Sequence, residues 1–253
     1  MGSENIVQSS VRTIEIIELL AEKDGMRITD LANYLGHPKS TIHNHLSTLR
    51  ENGYVVKDDN LYKISLRFLR LGGCARNNTE IYRKGKPEVN KIARETGELA
   101  NLATFEHGRG VYLYLTKGEQ GVDLDTYVGM DFYMHCTALG KAMLAYFPEE
   151  KVNEILETQG MPRRTPSTVT DRDTLLEELS TIRETGYATD KAERLEGLRC
   201  VAAPIKDEDG EVLGGISVSG PTNRMKGDRF SAEIPEKVLN AANVIELNIN
   251  YSD

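Results

Sequence analysis

The stretch HPKSTIHNHLSTLR, residues 37–50, decides the fold of the N-terminal part of this chain. It contains no acidic residue, although the formal net charge of the whole protein is -8. Ile42, Leu46 and Leu49 recur at i, i+4 and i+7, which predicts a helix with one apolar stripe. The opposite face carries short polar side chains: Ser40, His43, Asn44 and Ser47. A helix that is buried on one side and rich in hydrogen-bonding groups on the other suits the major groove of DNA.

The flanking sequence predicts a winged helix-turn-helix. Residues 29–36 have the pattern of a short helix that ends at Gly36, and Pro38 stands near the start of the next helix. Upstream, the apolar residues between Val11 and Ala21 have the spacing of a third helix. Asn52-Gly53 predicts a helix end, and residues 54–64 read as strand, polar turn and strand. We assign this domain to residues 1–65.

The charge differs between the two parts of the chain. Residues 1–76 contain 10 Lys and Arg against 9 Asp and Glu, a net of about +1, so the remainder carries about -9. A near-neutral head on an acidic body is typical of a DNA-binding module attached to a sensing or assembly module.

Length and composition exclude several classes of protein. The 253 residues are 39% hydrophobic and 28% charged, which is ordinary for a globular protein. No apolar run approaches the ~18 residues of a membrane span, and the N-terminus lacks a signal segment. Cys74, Cys136 and Cys200 are odd in number and far apart, which argues against a disulfide framework and for the reducing cytoplasm. The spacing of Cys and His predicts no metal site, and no cofactor is expected.

The remaining sequence predicts a linker helix and an α+β domain. We place the linker at residues 66–80, with its helix running from Leu66 to about Asn77, and the second domain at residues 81–253. The first helix of that domain is predicted from Pro87 to Thr96. Strands are expected over residues 100–105, 110–115, 124–128, 199–205 and 212–219, and helices over 140–146, 149–159 and 171–185, with one more near the C-terminus. This irregular interleaving predicts a mostly antiparallel sheet.

One hairpin permits a geometric deduction. If the turn within residues 207–210 holds two residues, Cys200, Ala202, Ser217 and Ser219 share one face of the sheet. Small polar groups on one face suit the floor of a small-molecule pocket. The alternative is a core face that carries two serines, and a three-residue loop would invert the face.

A second candidate pocket element is the segment 134–141. Thr137 is a plausible helix cap, which would let backbone N–H groups near Ala138 and Leu139 face an anion. The alternative is an ordinary capped helix without a ligand.

In these segments the chain resembles the IclR family of transcriptional regulators over nearly its full length. The N-terminal matches are Ser10-Val11-Arg12, Leu31-Ala32, Leu35-Gly36, Pro38-Lys39-Ser40-Thr41, Leu46, Thr48-Leu49 and Gly53-Tyr54. The C-terminal matches are His135, Thr137-Ala138-Leu139-Gly140-Lys141, Leu175, Glu178-Leu179, Gly186-Tyr187-Ala188, Asp190, Gly197, Cys200-Val201-Ala202-Ala203-Pro204, Gly210 and Ser217-Val218-Ser219-Gly220-Pro221.

The resemblance implies a winged helix-turn-helix, a linker helix and a GAF-like effector domain. It further implies a transcription regulator, repressors included, that binds a palindromic DNA operator as a homodimer or homotetramer and responds to a small organic acid or sugar acid. Carried onto this sequence, the DNA-binding residues are Arg12, Lys39, Ser40, Thr41, His43, Asn44, Ser47 and Arg50, with Tyr62 and Lys63 in the wing. The effector-binding residues are Met130, Ala138, Leu139, Asp190, Cys200, Ser217 and Ser219. The sequence offers no clear basic anchor for a carboxylate.

Parts of the sequence are compatible with two other functions. An enzyme would use Cys136 or Cys200 as a nucleophile with His135 as base, but adjacent residues of a strand point in opposite directions, and Cys200 has no evident partner. A helix-turn-helix head can also bind protein, since the fold alone does not fix function.

Overall fold

A computed structural model describes residues 6–251 of the chain. These residues divide into two compact units at Ala75 and Arg76. The first unit contains α1 (Gln8–Glu22), α2 (Ile28–Leu35), α3 (Lys39–Glu51), β1 (Val55–Asp58) and β2 (Leu61–Ile64). The two strands form an antiparallel hairpin. Three helices followed by this hairpin confirm the predicted winged helix-turn-helix.

The predicted apolar stripe of α3 is the centre of the first unit's core. Ile42 and Leu46 are fully buried, and Leu49 is 5% exposed. Burial of such a side chain contributes roughly 1.5–3 kcal/mol. Gly36 ends α2 with a φ of 66°, a left-handed conformation that favours glycine, and this turn lets α3 start two residues after the linking His37. The stripe therefore fixes which face of α3 points outward.

Two helices follow the hairpin. The helix α4 spans Arg67–Asn77, and α5 spans Glu80–Thr96. The prediction that a helix begins at Pro87 was wrong, because α5 starts seven residues earlier and continues through this proline. Ile81 and Tyr82 are buried in the second unit, and this packing stabilises the turns that precede Pro87. The division into residues 1–65, 66–80 and 81–253 stays a prediction.

The second unit is built on a six-stranded antiparallel sheet with the order β5-β4-β3-β8-β7-β6. Its strands are β3 (Leu99–Glu106), β4 (Arg109–Lys117), β5 (Asp131–Phe132), β6 (Ala188–Lys191), β7 (Leu198–Lys206) and β8 (Val212–Pro221). The residues of β7 alternate between the two faces, so Val201 and Ala203 pack in one cluster and Cys200 and Ala202 in another.

The two faces of the sheet are covered by different helices. One face packs against α5 and α9 (Ile234–Asn250), which follows a single π-helical turn at Arg229–Glu233. The other face packs against α6 (Ala138–Leu144), α7 (Glu149–Gln159) and α8 (Arg172–Thr185). This layering confirms the α+β prediction. Within residues 6–251, no helix is both long and apolar enough to cross a lipid bilayer.

The predicted strand at residues 124–128 was wrong. This segment is irregular. Its adjacent residues Tyr127 and Val128 are both exposed, whereas a strand at a sheet would alternate between core and solvent. The chain rejoins the sheet at Gly129 and Met130, whose backbone groups bond to those of Tyr112, and continues into β5. The segment therefore forms a loop beside the sheet edge.

The β7–β8 hairpin places Cys200 and Ser219 on one face as predicted, but its connection is longer than the predicted two-residue turn. The connection holds five residues, 207–211, and not two. An odd loop alone would invert the face, but a bulge beside Ile205 and Lys206 shifts the register by one more residue. Cys200 consequently pairs with Ser219, and Ala202 pairs with Ser217, as predicted.

Candidate nucleic-acid interface and effector cavity

The outward face of α3 is exposed, polar and free of acidic side chains until Glu51. Lys39, Ser40, His43, Asn44 and Arg50 are exposed, while Thr41 and Ser47 are half-buried. The first turn contains no acidic residue, so the positive end of the helix dipole and Lys39 reinforce each other. This is the electrostatic arrangement that attracts phosphate groups.

One histidine of α3 has a structural position that the sequence did not reveal. His45 Nδ1 lies 2.8 Å from Thr13 Oγ1 on α1, in a side-chain hydrogen bond. The bond joins α3 to α1 across 32 residues of sequence, and the periodicity of α3 gives no signal for such a partner. His45 therefore helps to orient α3, whereas the exposed His43 is available to DNA.

The wing differs from the prediction at one position. Tyr62 pairs with Lys57 in the hairpin, is only 5% exposed and belongs to the core of the first unit. Its side chain is therefore not accessible to DNA. Lys63 is half-buried, and Arg12 on α1 is half-buried as well. The tip of the hairpin exposes Asp58 and Asp59, which repel phosphate.

A cavity of about 500 Å³ opens on the second unit. Its walls are partly apolar, with Leu124, Met130, Phe132, Tyr133 and Leu195 among the lining residues. Thr126, Cys136 and Thr137 add polar groups. Thr137 is the N-cap of α6, because its hydroxyl accepts the Gly140 N–H at 3.0 Å. Concave walls of this mixed character are typical of small-molecule sites.

Three arginines line this cavity, although the sequence alone offers no clear basic anchor. They are Arg109, Arg164 and Arg194. Arg109 stacks 3.6 Å from the ring centre of Tyr133, and its Nε lies 3.0 Å from Asp131 Oδ2 in an ion pair. These arginines come from β4, from the loop after α7 and from the segment after β6, so no local sequence pattern could have assembled them.

Of the predicted effector-binding residues, only Met130 lines this cavity. Ala138 and Leu139 form the buried start of α6, and their backbone N–H groups lie in the first turn, where no preceding carbonyl serves them. The other four predicted residues, Asp190, Cys200, Ser217 and Ser219, are buried on the sheet face that α6 covers.

Asn101 joins the two serines and was missed by the sequence analysis. Its side chain is 3% exposed, and Nδ2 donates to Ser217 Oγ at 3.1 Å and to Ser219 Oγ at 3.2 Å. Asn101 Oδ1 is buried without a partner among the described residues. Its position opposite Ser217 in the β3–β8 ladder explains the contact, but this pairing is long-range in sequence.

The buried acid Asp190 on β6 is the cross-strand partner of Cys200 on β7. Burial raises the pKa of Asp190 to about 7, although the backbone N–H of Glu193, 2.7 Å from Oδ1, opposes the shift. Burial also raises the pKa of Cys136 to about 12, with the charge of Asp190 as the next cause, and raises that of Cys200. Thiols with raised pKa values are poor nucleophiles, which argues against the enzyme alternative.

A buried ion cluster supports the same region. The Lys141 ammonium, whose side chain is 2% exposed, donates to Glu193 at 2.6 Å and to Glu178 at 2.8 Å. Burial alone lowers the pKa of Lys141, but the two carboxylates outweigh it and the net shift is upward. Gly140 beside it packs against the backbone of Met134 with no room for a Cβ. The cluster ties α6 to α8 and to the segment after β6.

Together these features define a class: a winged helix-turn-helix joined to an α+β domain with a small-molecule cavity. The IclR helix-turn-helix domain matches residues 9–59, and the C-terminal domain of bacterial transcriptional regulators of the IclR type matches residues 74–247. The chain therefore belongs to the IclR family of bacterial transcriptional regulators.

Individual relatives agree with this assignment. The HTH-type transcriptional regulator BhcR of Paracoccus denitrificans is 33% identical over 248 residues, which cover 96% of this chain and 88% of the relative. The crystal structure of the Thermotoga maritima IclR is 26% identical, with a TM-score of 0.79 over 96% of this chain and 99% of that one. An IclR homologue from Microbacterium hydrocarbonoxydans in complex with 4-hydroxybenzoate shares the fold, at 21% identity and a TM-score of 0.81 over 96% of this chain and 99% of that one. The protein is a DNA-binding transcriptional regulator and not an enzyme.

Proposed function

We propose that this regulator binds a specific, palindromic DNA operator and that a small organic acid or sugar acid in its second unit modulates this binding. The observation that carries the DNA part is the acid-free, exposed face of α3 on a protein with a net charge of -8. An otherwise acidic chain repels DNA, so a local face without carboxylates is the surface that DNA can approach.

The proposed DNA contacts divide into two groups. Asn44, with Ser40, His43 and Ser47, reads base edges, and an asparagine amide can pair bidentately with adenine. Lys39 and Arg50 contact phosphates, with support from Arg12, Thr41 and Lys63. The wing contributes through Lys63 and not through Tyr62, because the tyrosine ring is buried.

The proposed effector is an acid because three arginines line the cavity, against two aspartates, of which Asp131 pairs with Arg109. The bound 4-hydroxybenzoate named for the Microbacterium homologue is consistent with this class. Met130 is the predicted residue on the cavity wall, and Ala138, Leu139, Asp190, Cys200, Ser217 and Ser219 remain proposed contacts of its inner end.

The proposed state is a cytoplasmic homodimer or homotetramer. A palindromic operator requires two copies of α3 related by two-fold symmetry, with half-sites about one helical turn apart. The effector then acts by binding one arrangement of the two heads more tightly than another, because a ligand with equal affinity for both shifts nothing.

Selection of bound sequences from a random duplex library, followed by titration of the selected operator at two salt concentrations, tests this function. We expect a palindromic consensus and an affinity that falls steeply with salt. Equal binding of the consensus and a random duplex, with and without a panel of organic acids, would refute the proposal. That outcome would favour the alternative in which the head binds protein.

A further inference from the structure

Arg164 lines the cavity without an ion pair among the described residues, but its side chain is exposed. Arg194 is the half-buried arginine of this cavity that has no ion pair among the described residues. Its Nη1 donates to the Tyr112 hydroxyl at 3.0 Å, and its Nη2 donates to Thr126 Oγ1 at 3.0 Å. Both acceptors are neutral. Among residues 6–251, no carboxylate oxygen lies within 4 Å of the Arg194 guanidinium.

Several other cations of the second unit have carboxylate partners, whereas the half-buried Arg199 and Lys206 have none among the described residues. Lys141 has two carboxylates, and Arg224 binds the fully buried Glu98 through two nitrogens at 2.8 and 2.7 Å. Arg109 has Asp131. Arg199 contacts the Met225 carbonyl and the Phe230 ring, whereas Arg194 lines an open cavity. An anion from outside the chain can therefore reach Arg194 and supply the missing negative charge.

We propose that Arg194, assisted by Arg164, is the residue that binds the carboxylate of the effector. This inference rests on the proposed function and assigns the anchor within its cavity. A guanidinium has five donors in a planar fork, and two of them are used here, so three remain for contacts with a carboxylate. Arg164 lines the same cavity and is exposed, so it supplies long-range attraction.

Two contacts fix Arg194 before any ligand arrives. Tyr112 belongs to β4 and packs its ring 4.6 Å from that of Phe132, which makes it a rigid support. Thr126 belongs to the irregular loop between β4 and β5. A guanidinium that is already oriented loses little entropy on binding, which favours affinity. Because Arg194 donates a hydrogen bond to Thr126, a carboxylate that binds Arg194 is expected to affect the position of this loop.

The inference is tested with the full chain and three acids: 4-hydroxybenzoate, lactate and gluconate, each beside its uncharged amide. Calorimetric titration compares the unaltered protein with Arg194→Gln and with Arg94→Gln, a matched control on the exposed surface of α5. For every acid that the unaltered protein binds, we expect Arg194→Gln to weaken binding at least tenfold. The same variant should change amide binding less than twofold, and Arg94→Gln should change neither.

Three results would overturn the assignment. The first is unchanged acid affinity in Arg194→Gln, and the second is an equal loss for acid and amide. The third is that none of the acids binds the unaltered protein at about 10 mM, where even a millimolar site is filled. Arg194→Lys, which keeps the charge without the fork, should lie between the two forms, and unfolding curves of all variants show whether the fold is retained.

Measurement of operator binding without any acid distinguishes a failure of the regulator function from a failure of the Arg194 assignment. If Arg194→Gln binds the operator normally but has lost its acid response, both the regulator function and the anchor are supported. If operator binding is normal and Arg194→Gln leaves the acid affinity unchanged, the assignment of Arg194 is refuted while the regulator function is still supported.

Discussion

The outward face of α3 and the interior of the second unit both carry cations, but in opposite surroundings. Lys39 and Arg50 are exposed on α3 and form no ion pair among the described residues. Lys141 is buried and shared by two carboxylates. A charge in water can be removed at little cost to folding, whereas a charge in the interior is part of the packing.

Because of this difference, function and stability depend on separate residues in the first unit and on neighbouring residues in the second. On α3 the apolar stripe folds the unit and the polar face is left for DNA, so the two roles belong to different residues of one helix. In the second unit the cavity and the ion cluster share neighbouring residues, since Glu193 binds Lys141 and adjoins Arg194. Substitutions within the ion cluster are therefore expected to change stability and ligand response together.

Replacement of the buried cation should have the largest effect. Lys141→Met leaves Glu193 buried without its counter-ion, and we expect the second unit to lose about 3–5 kcal/mol of unfolding free energy. Urea unfolding followed by circular dichroism measures the loss. Lys91→Met removes an exposed lysine 3.6 Å from Glu88 and should change stability by less than about 0.5 kcal/mol. Equal effects of the two substitutions would contradict the comparison.

Asp190 should make the stability of the second unit depend on pH. The folded protein holds its proton up to about pH 7, whereas the unfolded carboxyl ionises near pH 3.9. Between these values the folded state binds more protons, so this group's contribution to stability falls by up to about 1.4 kcal/mol per pH unit as the pH rises. Above pH 7 the contribution becomes constant.

Asp190→Asn removes this dependence while keeping an oxygen for the Glu193 N–H. The difference in unfolding free energy between the variant and the unaltered chain should therefore grow in favour of the variant from pH 5 to pH 7. Taking the difference cancels other titrating groups, such as His135, whose pKa burial lowers. A difference that does not change with pH would show that Asp190 is ionised in the folded state.

Asn44→Ala should affect DNA binding without affecting folding. Loss of a bidentate contact to a base costs about 1–3 kcal/mol, so operator affinity should fall roughly ten- to hundredfold while binding to random duplex is unchanged. Fluorescence anisotropy with both duplexes measures this. Size-exclusion chromatography should show the same oligomer as before.

A control two residues away on α3 tests the separation of roles. Leu46→Ala empties a fully buried position and should cost about 2–5 kcal/mol of stability in the first unit. Asn44→Ala should leave the unfolding curve in place, because the side chain is exposed. An unchanged footprint with Asn44→Ala would refute the assignment of this residue to base contact.

The sequence predicted the first unit well because its signals are local. The stripe of Ile42, Leu46 and Leu49 and the turn at Gly36 all act within one or two helical turns. In the second unit the helices α7 and α8 were predicted closely for the same reason. The predicted helix start at Pro87 was wrong because packing of Ile81 and Tyr82 against distant residues stabilises the earlier turns. The predicted strand at residues 124–128 was wrong because this segment has no partner strand among the described residues and exposes Tyr127 and Val128.

The site was predictable only where strand parity applies. The shared face of Cys200 and Ser219 follows from pairing within one hairpin, although the bulge was not foreseen. Arg194 and Asn101 gave no signal, since their neighbours Tyr112, Thr126 and Ser217 are 68 to 116 residues away in sequence. The sequence shows which residues are polar, but the long-range pairing of strands and loops determines which of them come into contact.

Lys39→Ala should have the smallest effect and separates phosphate contact from base reading on the same helix face. Removal of one phosphate contact should lower the affinity for operator and random duplex by a similar small factor. It should also reduce the slope of log affinity against log salt by about 1. Lys57→Ala, an exposed lysine on the wing whose tip carries Asp58 and Asp59, is the matched control and should leave the slope nearly unchanged. If Lys39→Ala instead weakens the operator alone, Lys39 reads bases, and the division of α3 into base-reading and phosphate-binding residues has to be redrawn.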